Sequence, residues 1–562
     1  MSTKRTFFFR QGCGRQHGAA LMVMLVILVV GVAAILVSVL SSSSLNIERD
    51  KTTADALAKA KNALIGRAVA DTTSPGSLPC PDTNDDGSAE IFSGSDCPSY
   101  IGKLPWKTLG LPDLRDGSGE RLWYALSPNF RDKISVAPIN SDTVGSLNVS
   151  GSVPANNVIA IVFAAGNPLS GQNRTSASSL CTTTNTTIAA NLCATNYLEG
   201  NNAQQSTATS PATLPYQTAA GSSSFNDQAI YITHNDLFPQ LEWRIAREAK
   251  QCLDNYAAGN TNNRYPWAAP DNDTTNYSGT YDTLFGRIAT TPYTQAKSVD
   301  STYALPMLNA LRDLQTALNN YSANINSTTT SALLNAGQTL ITASQNAANY
   351  SSSSFYSYSS ITTNADTAGD QGRDLANGVS GVTVSTAQGY IDNTNSNLKS
   401  YGFYDNTMSL SWPSGCVFDS SSYWNNWRQE VFYQVASGNS PGTSVTGCVN
   451  SCLSISGSGN PNPGSGTYTA AVIVGRAHST TLNSGTPTSN PPVYYLEGIN
   501  QNDGTSGSCS SPPFPGGKHD STKNYSTCPM LSQKFVTYRP TDPSYSSVND
   551  PVVCLDGKYN CK

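Results

Sequence analysis

Arg15-Gln16-His17-Gly18, followed by Ala19-Ala20-Leu21-Met22-Val23-Met24-Leu25-Val26 and on without a charge to Leu40, decides the plan of this 562-residue chain. Ala19 to Leu40 is 22 residues. At about 1.5 Å per residue such a helix is roughly 33 Å long, enough to cross a hydrocarbon core of about 30 Å. Lys4, Arg5, Arg10 and Arg15 all stand before it, so the N-terminus is expected to stay cytoplasmic and the bulk to be exported. An ordinary secretory signal carries its small-residue cleavage motif after the apolar segment, which is then discarded. Here the glycine suited to processing, Gly18, comes before it. The bland reading of the same residues is a plain single-pass anchor or an uncleaved signal.

A basic leader, a glycine and then a retained apolar helix resembles the type IV prepilins, over about the first 60 residues. The resemblance implies a leader at 1–18, cut after Gly18 by prepilin peptidase, and methylation of Ala19 as the new N-terminus. It further implies a pilin helix over 19–70, transmembrane at 19–40, with its outer half laid on an antiparallel β-sheet. The partners implied are other pilins or pseudopilins, met through that helix. The location implied is the inner membrane with a periplasmic head, then a periplasmic or extracellular filament. With Ala19 first, the fifth mature residue is Val23, where major pilins carry a glutamate that pairs with a neighbour's terminal amine. Minor pilins of the X type and the K-type tip pseudopilin of type II secretion often lack that glutamate. The resemblance therefore implies a minor pilin or pseudopilin near a filament tip, acting in filament initiation or adhesion to a surface or host ligand. The second reading is a membrane-anchored exported binding protein or enzyme using a prepilin-type signal.

Composition agrees with export. Only 13% of residues are charged, and Ser, Thr, Asn, Gly and Tyr stand where a cytoplasmic enzyme would carry Lys and Glu. A net charge of −5 gives no footing for nucleic-acid binding. Of 13 cysteines, Cys13 leaves with the leader, and the remaining even number in an oxidising compartment reads as disulfides. Short separations suggest Cys80 with Cys97, Cys181 with Cys193, Cys448 with Cys452, Cys509 with Cys528 and Cys554 with Cys561, which leaves Cys252 and Cys416.

Beyond Ser41 to Ser44 a helical pattern runs through Ala54, Leu57, Ala58, Ala60, Lys61, Leu64 and Ile65, so the helix is expected to continue outward as an amphipathic rod. The segment Ala60-Lys61-Asn62-Ala63-Leu64, Leu78-Pro79-Cys80-Pro81-Asp82, Tyr100-Ile101-Gly102-Lys103 then has a second appearance. It reads Ala249-Lys250-Gln251-Cys252-Leu253, Tyr265-Pro266-Trp267 with Pro270-Asp271, Leu284-Phe285-Gly286-Arg287. Leu122 to Ser127 is echoed by Val431 to Ala436, Val158 to Ala164 by Thr469 to Val474, and Tyr197-Leu198-Glu199-Gly200 recurs as Tyr495-Leu496-Glu497-Gly498. Matches kept in one order predict an α+β fold in which a pilin-like module, helix then sheet, is duplicated. The copies are expected at 50–238 and 239–545, before a disulfide-clipped tail at 546–562. Inside the second copy, at about 295–405, Leu305, Leu308, Leu311, Leu314 and Leu318, then Leu333, Leu334, Leu340 and Ile341, predict an inserted helical hairpin broken at Asn326 to Thr330. The K-type pseudopilin resembles this plan in carrying a helical domain inserted into a pilin sheet, without the duplication. The insert is a solvated spacer or an interaction surface.

No G-x-S-x-G, H-E-x-x-H, P-loop or dinucleotide fingerprint occurs, and histidine is scarce. No catalytic residue is assigned, and the chain is not read as an enzyme. One ion-binding pattern occurs. Asp82-Thr83-Asn84-Asp85-Asp86-Gly87 matches the D-x-N-x-D-G opening of a calcium loop, in which alternate oxygens converge on a hard cation. Ser93 stands at the twelfth position, and Glu90, at the ninth, is the substitute ligand. Asp82, Asn84, Asp86 and Glu90 are thus the candidate calcium set, against an Asx-rich turn without an ion. The second copy offers Asp271-Asn272-Asp273. Asp113 to Glu120 reads as a plain turn. Trp412, Tyr423, Trp424, Trp427, Phe432 and Tyr433 crowd one region, where core packing is expected and Trp424 is the candidate for an exposed contact.

Overall fold

The computed structural model describes residues 17–133, 139–174, 180–182, 187–204, 213–270, 273–418, 423–443, 452–457, 467–475, 495–496, 534–536, 544 and 550–555. It is a mixed α+β structure with mainly antiparallel sheets, in two compact units. One comprises Met1–Arg67, Leu78–Arg131 and Gly145–Thr233, the other Ala68–Ser77, Asp132–Val144 and His234–Lys562.

Helix α1 runs without a break over His17–Ala70. Met22 to Val30 are exposed large hydrophobics along it, Val23 at 59%. Among the described residues no helix is long and apolar enough to cross a membrane. Much of the expected span lies outside them, because the side chains of 17–21, Gly18 and Ala19 included, and of 33–45 are not described. The outer half buries Thr53, Ala56, Leu57, Ala60 and Leu64, whereas Ala54 and Ala58 are exposed. The buried face is thus one narrow stripe at three-to-four spacing, offset from the alanines included in the sequence pattern.

In the first unit α1 is followed by β1 (Ile101–Lys103), β2 (Trp123–Leu126), β3 (Leu147–Gly151), β4 (Ala155–Val158), β5 (Ala160–Ala164), β6 (Leu180–Thr182), β7 (Thr187–Ala189), β8 (Tyr216–Thr218) and β9 (Gln228–Ile232). The main sheet has the order β1-β2-β5-β9, antiparallel throughout. β2 and β5 are buried along their whole length, as strands covered on both faces must be, and their runs Trp-Tyr-Ala-Leu and Ala-Ile-Val-Phe-Ala suit that position. One face, carrying Ile101, Trp123, Ala125, Ile161 and Phe163, shares a core with Leu147 and Val149 of β3, Tyr216 of β8 and Tyr197. A smaller sheet, β4-β3-β8, pairs β3 antiparallel to β4 and parallel to β8.

The second unit contains α2 (His234–Ala258), β10 (Phe285–Arg287), α3 (Ala304–Ala323), α4 (Ser327–Asn349), α5 (Ser359–Ala376), α6 (Val384–Ser400), the short α7 (Trp424–Trp427), β11 (Val431–Val435), β12 (Leu453–Ser456), β13 (Thr467–Tyr468), β14 (Ala470–Val474), β15 (Lys534–Val536) and β16 (Val552–Leu555). Its main sheet has the order β10-β11-β14-β16, again antiparallel, and its smaller sheet β13-β12-β15 again pairs the middle strand antiparallel to one neighbour and parallel to the other. Registers agree as well: Gly102 lies opposite Tyr124 and Gly286 opposite Tyr433. The Tyr124 hydroxyl donates to the Pro79 carbonyl at 3.2 Å, and the Tyr433 hydroxyl to the Pro266 carbonyl at 3.0 Å. β16 falls inside 546–562, the stretch expected as a separate tail. Val552 to Leu555 are instead buried against β14, because four consecutive apolar residues gain more from pairing at the sheet edge than from solvent.

The insert between β10 and β11 is four helices, α3 to α6, and not the expected hairpin. α3 and α4 follow the predicted leucines, and Asn326 caps α4 through a capping box with Thr329. α5 and α6 bury Ile361, Ala365, Ala368 and Leu375, then Ala387, Ile391, Thr394 and Leu398. The small residues among them, with Gly337 and Gly369, let the helices approach closely. A Cβ on Gly337 would stand 2.7 Å from the Gly369 carbonyl oxygen, and one on Gly369 2.8 Å from that of Gly337.

Candidate functional site

The Asp82 loop is built from its backbone outward. Asp82 and Lys103 exchange backbone N–H···O bonds at 3.0 and 2.6 Å, which fixes the loop to the edge strand β1. The Cys80–Cys97 disulfide closes it. Asp82 Oδ1 accepts from the amides of Asn84 at 3.1 Å and Asp85 at 2.7 Å, and Oδ2 from Gly87 at 2.7 Å. Gly87 has φ +87°, and a Cβ there would meet the Trp106 ring at 2.6 Å, so only glycine fits. Asn84 Oδ1 accepts from Asp86 N, and Asp86 Oδ1 from Ser88 N. Burial holds the Asp82 carboxyl above its usual range, opposed by its three amide donors, whereas the Ser88 amide lowers that of Asp86.

Glu90 turns away, its Oε1 accepting from the amide and hydroxyl of Thr83 at 3.1 and 2.8 Å. The Lys107 ammonium donates to the Asp86 carbonyl, and Arg121 pairs with Asp85 at 3.0 Å and Asp113 at 2.9 Å. Among the described residues no group of three His, Cys, Asp or Glu side chains is gathered as a metal ion requires. As folded here, Asp82, Asn84 and Asp86 form a chain of Asx turns.

The second unit carries a loop of the same construction, within the Asp271-Asn272-Asp273 stretch noted in the sequence and centred on its last residue. Asp273 Oδ1 accepts from Thr275 N and Asn276 N, and Oδ2 from Ser278 N, the same offsets as at Asp82. No Gly follows Asp273 to advertise it, while Asp271 and Asn272 lie outside the described residues. Asp116 closes the 113–120 turn by accepting from Ser118 N, Glu120 N and Gly166 N.

Two buried cations were also missed as such. Lys103 is 3% exposed, with Nζ 3.5 Å from the Tyr197 ring centroid and 4.4 Å from that of Trp123. Burial pushes its amine down to about 7, with Asp85 and Glu120 opposing. At the matching register Arg287 is fully buried, its guanidinium carbon 3.7 Å over Phe432 and 4.8 Å over Tyr495. The clue was a cation in an otherwise apolar strand, opposite an aromatic pair.

Acids are buried too. Glu199 Oε2 accepts from the amides of Asn226 and Asp227, and Asp227 Oδ2 accepts from Glu199 N and Asn202 Nδ2. Burial drives the Asp227 carboxyl up to about 8. In the second unit the Ser141 hydroxyl donates to Glu242 at 2.9 Å, while His234 Nε2 lies 2.8 Å from the Ser141 carbonyl oxygen. Ser141 and His234 are therefore not arranged as nucleophile and base.

Trp424 is 3% exposed, which removes it as a surface contact. Its ring packs on Phe418 at 4.7 Å, Phe418 on Trp412 at 4.9 Å, and Trp412 on Tyr256 of α2 at 5.2 Å. Of the expected disulfides, Cys80–Cys97 and Cys252–Cys416 are formed, and Cys193, Cys452 and Cys554 are also disulfide-bonded. Cys448, Cys509, Cys528, Cys561 and the side chain of Cys181 lie outside the described residues. No family model, curated protein or solved structure matches this chain.

Proposed function

We propose that this chain is a large minor pilin or pseudopilin subunit that enters a type IV pilus or type II secretion-like filament through α1 and sits at its tip. The observation that carries the reading is α1 itself. One unbroken helix leaves the large apolar side chains from Met22 to Val30 uncovered and buries a stripe of its outer half in an α+β unit. An uncovered apolar helix segment is a surface awaiting lipid or other helices. Val23 offers no carboxylate to a neighbour's terminal amine, and an unpaired amine in a low-dielectric bundle is costly. The subunit therefore fits best at the end assembled first. The two units are read as copies of one module, supported by the shared strand order and register of their sheets. Calcium belongs to the same reading. Asp82, Asn84 and Asp86 would hold it, with Glu90 released from Thr83.

Mass spectrometry of the mature N-terminus tests the assignment. A methylated chain starting at Ala19 is expected, with accumulation of precursor when Gly18 is enlarged. A mature chain beginning after Leu40 would overturn it. Immunogold label confined to filament ends is expected, and even labelling of the shaft would refute the tip position. Calcium should raise the melting temperature of the wild type and not of Asp82→Ala.

A further inference from the structure

The helical insert contains a long stretch without charge. Leu314 to Ala365, 52 residues, hold no Lys, Arg, His, Asp or Glu. Within it α4 exposes one face made only of amides and hydroxyls, Asn335, Gln338, Thr339, Thr342, Gln345 and Asn346, where a solvated helix ordinarily carries charged side chains. The start of α3 closes against this face to form a cleft of about 340 Å³, lined by Thr302, Tyr303, Gln338, Thr339, Thr342 and Asn346 among others. Small-molecule sites span about 300–1,000 Å³. The polar groups of the cleft are neutral and available. The Thr339 and Thr342 hydroxyls donate to the Asn335 and Gln338 carbonyls at 2.8 and 3.1 Å, which leaves their oxygens free to accept. The carboxamides of Gln338 and Asn346 have no partner among the described residues, so each offers donors and an acceptor.

An aromatic pair borders the same cleft. Tyr350 donates its amide to the Asn346 carbonyl at 3.2 Å and stacks on Tyr303, with ring centroids 4.4 Å apart and planes 8° from parallel. With one face on Tyr303, Tyr350 is still 49% exposed. Both tyrosines are fixed in place. Asp300 accepts from Tyr303 N at 2.7 Å and from Ser354 N at 2.6 Å, and its own amide donates to the Ser354 hydroxyl at 2.9 Å. Phe355 is fully buried, its ring 4.9 Å from that of Phe403. The stacked pair and the α4 face are thus set before any ligand arrives, which lowers the entropic cost of binding.

We propose that this cleft binds a neutral glycan, the C–H face of a sugar lying on the Tyr303–Tyr350 pair and its hydroxyls meeting Gln338, Asn346 and the two threonines. A sugar ring combines an apolar face with many hydroxyl donors and acceptors and no charge, which is the chemistry gathered here. An anionic ligand would find no cation among the lining residues. A protein partner is a poorer fit, because the large apolar groups exposed at this end of the helices are tyrosines. The exposed aliphatic side chains of the insert, Ile325 and Val379, stand beyond the far ends of α3 and α5. Binding in solution requires no filament, so the site is tested apart from the assembly reading.

The full-length protein in detergent, applied to an array of neutral hexose and N-acetylhexosamine oligosaccharides beside their sialylated counterparts, should bind members of the neutral set. Calorimetric titration with the best of these should show Tyr350→Ala and Gln338→Ala each weakening affinity by about tenfold, the loss of one ring platform or one polar contact. Tyr350→Phe, which keeps the ring, should retain most of the affinity. Gln338 is exposed and its carboxamide unpartnered, so its variant should melt with the wild type and report on binding alone. An array with no neutral oligosaccharide bound, a preference for the sialylated set, or unchanged affinity in both alanine variants would overturn the proposal.

Discussion

Replacing Lys103 by methionine should stabilise the first unit near neutral pH and abolish one particular pH dependence. The amine falls from 10.5 to about 7 because it is enclosed between Trp123 and Tyr197. At about 1.4 kcal/mol per pH unit, that displacement corresponds to roughly 5 kcal/mol against the charged native state. The contact of the ammonium with two desolvated rings returns roughly 2 kcal/mol, so a net gain of about 3 kcal/mol is expected for Lys103→Met at pH 7. Below about pH 7 the lysine is protonated in both states and its cost is constant. Between about 7 and 10.5 the unfolded chain holds a proton that the native protein does not, so stability rises with pH. Above 10.5 the cost is gone. Exchange protection of the β2 and β5 amides reads this for the first unit alone. Wild-type protection, corrected for intrinsic rates, should climb between pH 8 and 10, and the methionine variant should start higher and stay level. A level wild type, or a variant less protected at pH 7, would refute the reasoning and give the cation–aromatic contact the larger share.

The opposite slope is expected from Asp227, which is driven up to about 8 by burial. Its contribution is greatest below the ordinary carboxylate range and is lost as pH rises toward 8, so Asp227→Asn should flatten the fall in denaturation midpoint between pH 4 and 8. Gly369→Ala would set a methyl 2.8 Å from the Gly337 carbonyl oxygen, and overpacking of that kind should cost about 1–3 kcal/mol, seen as loss of exchange protection in α4 and α5. Removing the Cys252–Cys416 disulfide, which joins positions 164 residues apart, should lower second-unit stability by up to about 5 kcal/mol on chain-entropy grounds. A double Cys→Ala variant with an unchanged denaturation midpoint would contradict that.

Legibility in the sequence followed side-chain size. Trp123 to Leu126, Ala160 to Ala164, Val431 to Val435 and Ala470 to Val474 could be read as buried strands because bulky or β-branched residues fill both faces. Their echo in two places made the repeated chain order of these segments readable as well. α5 and α6 were not, because Ala365, Ala368, Gly369, Thr394 and similar small residues carry little hydrophobic periodicity, although they pack as tightly as leucines once the helices touch. The strands of the smaller sheets are two to five residues long and half polar, as Leu147-Asn148-Val149-Ser150-Gly151 shows, and the parallel partners of β3 and β12 lie far away in sequence. At the Asp82 loop the residue pattern announced the turn but not what Glu90 and Lys107 would do. Nor does the charge of Lys103 announce its burial, which depends on Tyr197 arriving from a remote turn.

The four-helix insert is tolerated because of where the chain leaves and returns. β10 and β11 must stay hydrogen-bonded from Phe285 to Arg287, so any insert between them has to begin and end at nearly one point. The chain meets that demand at a neck. Ala296 N donates to the Phe403 carbonyl at 2.8 Å, Asp405 N to the Thr294 carbonyl at 2.9 Å, and Gln295 bridges to Tyr404. Trp267 supports the neck from the sheet side by donating its indole N–H to the Gln295 carbonyl. Arg264 and Asp405 form a buried ion pair beside it. Once the neck is closed, the entropic cost of a longer excursion grows only slowly with its length, and the helices bury a core largely of their own, from Leu308 and Leu314 to Leu340 and Ile391. The corresponding excursion in the first unit, between β1 and β2, holds only the residues from Leu104 to Leu122. The two main sheets share a register and differ at this loop because the loop joins an edge strand to its neighbour, where added chain disturbs no ladder.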